Sequence, residues 1–172
     1  AGPALAPELR RVGRGAKIGD ACSTGAGALP CKKLIHAFCP LREDPDQLRS
    51  CIEQALYLLT LERLRTAAFP ILSAETFPSS ELFARPPISP STGLPQPTVV
   101  SEGSRLPYYP LIPAIHVLLA TIREWLEREE NRFKVDLILI VAANERERRA
   151  LLALMPEYFP RDAARESVDE PE

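Results

Sequence analysis

The residues of this chain best suited to nucleophilic or metal chemistry are four cysteines and two histidines. Cys22, Cys31, Cys39 and Cys51 lie close together in sequence, with His36 between Cys31 and Cys39. A zinc site can be drawn through them, but structural zinc takes tight ligand pairs and no C-x-x-C spacing occurs here. The pattern instead points to small buried thiols in a reducing intracellular compartment, without a disulfide framework, metal or cofactor. His36 and His116 both sit in apolar runs, where a satisfied core histidine is the expectation. Other catalytic signatures are missing: there is no G-x-S-x-G elbow and no Walker loop, and Gly13, Gly15 and Gly19 have the wrong spacing for G-x-G-x-x-G. Arg10, Arg11, Arg14 and Lys17 form a short basic run without interleaved aromatics. In a chain of net charge -2 and pI about 5.8 this reads as a solvated helix end, and nucleic acid is not an expected partner.

These residues must be positioned by a chain of 172 residues, 45% of them hydrophobic, which suits one buried core. Helical spacing of Leu5, Leu9 and Val12 predicts a helix from Ala4 to Val12. Lys17–Cys22 and Leu34–Phe38 are strand candidates separated by glycines and Pro30. Asp44–Leu64 predicts a helix, with Pro45 in its first turn and Leu48, Ile52, Ala55, Leu56, Leu59 and Leu64 as its apolar stripe. Thr66–Leu72 and Val135–Ala142 read as strands apolar at almost every position, the pattern of a sheet covered on both faces. Tyr109–Glu130, with Ile112, Ile115, Leu119, Ile122 and Leu126 inward, and Glu145–Met155, with Leu151, Leu152 and Met155 inward, complete the helices. No apolar run reaches the length of a membrane-spanning helix. The order strand, helix, strand, loop, helix, strand, helix predicts an α/β protein, a three-layer α/β/α sandwich over residues 1–159. A Pro-rich loop or insertion occupies about 78–110, and a charged tail, expected to be disordered, occupies 160–172.

The run Gly19-Asp20-Ala21-Cys22-Ser23-Thr24, followed by Ala28-Leu29-Pro30-Cys31-Lys32-Lys33-Leu34-Ile35-His36-Ala37, resembles the macro-domain stretch in which G-x-A-x-x-T leads to L-P-x-K-x-[IV]-I-H. Ala67–Ser73 resembles that family's next strand, which ends in Phe-Pro and a small residue. Ala1-Gly2-Pro3 matches its AGP element. The resemblance implies the ADP-ribose-binding α/β fold, with Leu29, Pro30, Lys33, Ile35 and His36 as markers of the fold rather than of the active site.

The family holds ADP-ribose with four devices. An acidic residue for the adenine amino group and the Asn-containing and Gly-rich loops precede the AGP element, so they are not among these residues, nor are the family's first strands. The phosphate loop S-x-G-[IV]-[YF]-G-[YF]-P corresponds to residues 73–80, where Ser73, Ala74, Thr76, Phe77 and Ser79 would line a vestigial ligand pocket. Glu75 and Pro78 replace its glycines. A carboxylate about 4 Å from a phosphate costs on the order of several kcal/mol at surface dielectrics, and proline removes an N–H donor. The adenine-stacking aromatic corresponds to Ala143. These departures predict a degenerate macro-like domain without catalysis, acting as a protein-interaction or scaffold subunit. Its expected contacts run through the Pro-rich segment, through Tyr108 and Tyr109 at its end, and through an exposed sheet edge. The alternative is a module that binds ADP-ribose, or proteins carrying it, with ADP-ribosyl hydrolase activity.

Overall fold

A computed structural model describes residues 2–3, 5–40, 42–72, 109–131 and 133–160. The Pro-rich expectation at 78–110 falls, apart from Tyr109 and Pro110, outside them, as does the tail beyond Pro160.

The chain opens with helix α1 (Leu5–Val12) and a turn in which Gly19 takes φ +94°. The Asp20 amide donates to the Lys17 carbonyl at 3.0 Å and the Asp20 carboxylate accepts from the Lys17 amide at 2.7 Å. Residues 17–20 are therefore a tight turn that needs glycine at its third position. The strand expected at Lys17–Cys22 begins only at Ala21: β1 (Ala21–Gly25) pairs antiparallel with β2 (Lys33–Ala37), Ala21 facing Ala37 and Gly25 facing Lys33.

Helix α2 (Pro45–Leu61) starts on Asp44, whose side chain accepts from the Gln47 amide, with Pro45 in the first turn where its missing N–H costs nothing. It stops three residues before the sequence pattern does. Arg63 adopts φ +54°, the Arg63 amide reaches the Thr60 carbonyl and the Leu64 amide reaches that of Leu59, so the last carbonyls are closed by a left-handed C-terminal cap. Leu48, Cys51, Ile52, Ala55, Leu56 and Leu59 line its buried face.

Strand β3 (Thr66–Pro70) pairs in parallel with β4 (Leu137–Val141), Thr66 facing Leu137 and Pro70 facing Val141. Between them run α3 (Leu111–Glu127) and a short 3₁₀ turn (Glu129–Asn131), and after β4 comes α4 (Glu145–Tyr158). Parallel strands require such a crossover. The core joins α2 to α3 and draws in Phe69, Ala67, Ile138 and Ile140 from the parallel pair and Ile35 and Ala37 from β2. A second cluster, Ile71, Leu111, Ile115, Leu119 and Leu151, seats α4.

Mixed helices and strands in this order form the α/β class the sequence predicts. Several side chains differ from expectation. Ile115, Leu119, Ile122 and Leu151 are buried as expected, but Ile112 is 47% exposed and Leu152 54% exposed, because the buried stripe of α3 also takes in Ala114 and Leu118 and that of α4 turns toward the half-buried Leu154. Leu137, Leu139 and Val141 face outward, so among the described residues the outer face of β4 is uncovered.

Candidate functional site

In open α/β sheets ligands bind beyond the carboxyl ends of parallel strands. Here the β3–β4 register brings Pro70 beside Val141, so the segments leaving the two strands start side by side. From β3 the chain continues through Ile71, which is fully buried, and Leu72. Ser73, Ala74, Thr76, Phe77 and Ser79 follow directly, with Glu75 and Pro78 between them, and all lie outside the described residues.

From β4 the chain runs through Ala142 and Ala143 into Asn144, the cap of α4. The Asn144 side chain accepts from the Glu147 amide at 2.9 Å, and Glu147 turns back so that its carboxylate accepts from the Ala143 amide at 2.7 Å and from Asn144 Nδ2 at 3.2 Å. Glu147 is only 2% exposed. This reciprocal capping box satisfies donors that an anion would otherwise use, and it puts negative charge at a helix start, where the dipole favours it. Glu145 lies in the same turn. The guanidinium groups of Arg148 and Arg149 hold its carboxyl down to about 2. The first turn of α4 is therefore electrostatically occupied. Sequence reasoning missed Glu147, although N-x-x-E ahead of an apolar stretch is a capping signal.

Of the other residues singled out in the sequence, His36 Nε2 lies 2.8 Å from Thr24 Oγ1 across the antiparallel pair. Burial pushes the imidazole below its ordinary value, with Glu8 opposing more weakly. His116 Nδ1 meets the Tyr158 hydroxyl at 2.6 Å. Tyr109, expected as an exposed anchor for a partner, is 1% exposed and belongs to the main core, with residues of α2 and α3 such as Leu48, Cys51, Ala114 and Leu118; position 109 lies just ahead of α3. Among the described residues no cluster of three His, Cys, Asp or Glu side chains could hold a metal ion, and no helix is long and apolar enough to cross a membrane.

A cavity of about 390 Å³ opens beside β4, lined by Ile122, Leu126, Ile138, Ile140, Met155 and Phe159 among others. Its walls are mainly aliphatic, and its one charged side chain, Asp136, is engaged by Arg65. Such a wall offers a diphosphate little to bind.

Known proteins share this arrangement. Residues 1–81 match the Macro domain family. The chain is 31% identical over 93% of its length to the ADP-ribose glycohydrolase MACROD1 of Bos taurus, of which it spans 41%. In fold it is similar to the macro domain of ganglioside-induced differentiation-associated protein 2 (TM-score 0.67, 23% identity, 94% of this chain and 67% of that one). The Trypanosoma brucei macrodomain in complex with ADP is also similar (TM-score 0.65, 24% identity, 90% of this chain and 53% of that one). The chain thus spans less than half of its bovine relative.

These findings overturn the expectation of a non-catalytic scaffold. That reading rested on Glu75 and Pro78 in the phosphate loop, on Ala143 at the stacking position and on the family's first loops lying outside these residues, yet a relative that aligns along almost the whole chain is named for ADP-ribose glycohydrolysis. Such departures do not cancel what the remaining framework shares with its relatives. The resemblance noted in the sequence is met in residues 1–81, which match the macro domain family, and in a fold similar to that of solved macro domains.

Proposed function

We propose that this chain is part of a domain that binds ADP-ribose and ADP-ribosylated proteins and serves the hydrolysis of ADP-ribosyl bonds. The observation that carries this reading is the alignment over 93% of the chain with an ADP-ribose glycohydrolase at 31% identity. The geometry agrees with it. The carboxyl ends of β3 and β4 lie side by side, at the end of the sheet where α/β proteins receive ligands, and Ser73 follows Leu72 directly in sequence. In this proposal Ser73, Ala74, Thr76, Phe77 and Ser79 line the diphosphate part of the pocket through backbone amides and hydroxyls. Pro78 supplies no amide there, and Glu75 opposes the phosphate charge. No catalytic residue is assigned among the described ones.

Calorimetric titration of the chain with ADP-ribose at low salt tests the reading, with the Glu75→Gly/Pro78→Gly variant alongside. The expected result is saturable one-to-one binding that tightens roughly tenfold in the variant, since removing one like charge near an anion is worth about 1–2 kcal/mol in a partly screened site. Absence of binding by both proteins at millimolar ADP-ribose refutes the proposal. Release of ADP-ribose from a mono-ADP-ribosylated protein substrate, followed chromatographically, tests hydrolysis separately.

A further inference from the structure

Cys39 and Cys51 come together on elements other than the β3–β4 pair. Cys39 follows β2 on the segment leading to α2, and Cys51 sits in the second turn of α2. Their sulfurs lie 3.6 Å apart. Cys51 is fully buried and its thiol donates to the Leu48 carbonyl at 3.2 Å, whereas Cys39 is half-buried. We propose that Cys39 and Cys51 are an oxidisable dithiol that peroxide converts into a disulfide pinning the β2–α2 connection to the core helix.

The two sulfurs have different roles. The close Cys51 sulfur, 3.6 Å away, draws the Cys39 thiol below its ordinary value against the opposing effect of burial, so Cys39 is the thiol poised to react as thiolate. The same contact and burial push the Cys51 thiol up. The Cys39 thiolate attacks one oxygen of hydrogen peroxide. The O–O bond breaks, and the departing hydroxide takes up the proton Cys39 released and leaves as water, so Cys39 becomes a sulfenic acid. The Cys51 sulfur then attacks the Cys39 sulfur and displaces hydroxide, which leaves as a second water with the Cys51 proton. Two thiols lose two electrons and one peroxide is reduced to two waters. A bonded pair sits at about 2.0 Å, so the sulfurs must approach by roughly 1.5 Å, within reach of small side-chain rotations. Cys51 has only to meet a neighbour already in contact, so its burial is no obstacle.

The experiment treats the native chain with a few equivalents of hydrogen peroxide, alkylates the remaining thiols and reads mass and peptide map. The thiol count is expected to fall from four to two. Tryptic peptide 34–42 should be found joined to peptide 50–63, since cleavage after Lys33, Arg42, Arg49 and Arg63 isolates the two cysteines on separate fragments. The Cys22→Ser/Cys31→Ser variant keeps the pair untouched and should go from two thiols to none. Cys39→Ser should abolish the linkage. Four surviving thiols overturn the proposal, as does Cys39 advancing to sulfinic acid without a link, or a disulfide involving Cys22 or Cys31. So does a linkage that appears only after urea unfolding.

Discussion

Replacing Glu147 by alanine tests how the carboxyl end of β4 is held. The carboxylate is 2% exposed and accepts a 2.7 Å bond from the Ala143 amide and a 3.2 Å bond from Asn144 Nδ2. A charge-assisted hydrogen bond contributes about 1.5–3 kcal/mol, and a buried amide deprived of its acceptor costs about 1–3 kcal/mol because little water reaches it. The two figures describe largely the same loss, so Glu147→Ala is expected to destabilise the chain by about 2–3 kcal/mol. For a chain of this size that lowers Tm by roughly 4–12 °C. Glu147→Gln keeps an oxygen for the Ala143 amide and gives up the charge, so about half the loss is expected. Urea unfolding followed by circular dichroism reads the effect as a lower midpoint at constant slope. The reasoning fails if Glu147→Ala lies within about 0.5 kcal/mol of the parent, the range of an ordinary surface substitution. It fails too if the glutamine variant is the less stable of the two.

Two further outcomes follow from local geometry. Arg63 is exposed and holds φ +54° at the end of α2, a conformation that costs a side-chain-bearing residue about 1 kcal/mol relative to glycine, so Arg63→Gly should stabilise the chain by about 0.5–1 kcal/mol, read as a higher urea midpoint, and Arg63→Val should lower it. Burial lowers the His36 pKa below its unfolded value of about 6.5, so the unfolded chain binds more protons; the stability from His36 is present above pH ~6.5 and is lost as pH falls through the folded value. Unfolding midpoints between pH 8 and pH 5 should decline more steeply for the parent than for His36→Gln, and parallel curves would contradict the assignment.

Helix α2 was legible in the sequence almost to the residue at its start, because Asp44, Pro45 and a strict apolar stripe are local signals that tertiary contacts only reinforce. The motif around Gly19–Thr24 and Leu29–His36 likewise pointed to the family, since a turn that needs glycine and a strand that needs alternate partners constrain residue types directly. Other features required the assembled chain. Leu137 to Val141 is apolar at every position, so periodicity gives no preferred face, and only packing against α3 and α4 turns Ile138 and Ile140 inward while Leu139 meets solvent. Tyr109 borders a polar, proline-rich stretch in sequence and is buried because α2 and α3 converge on it. Cys39 and Cys51 lie on different elements with no tight spacing, and their 3.6 Å approach exists because α2 packs against the β1–β2 pair. Sequence by itself determined which segments become helix or strand and which family they resemble, since those depend on local conformational preference and residue pattern. Which faces are buried, which thiols meet and which strand ends lie side by side were decided by the tertiary structure, because each depends on contacts between residues far apart in the chain.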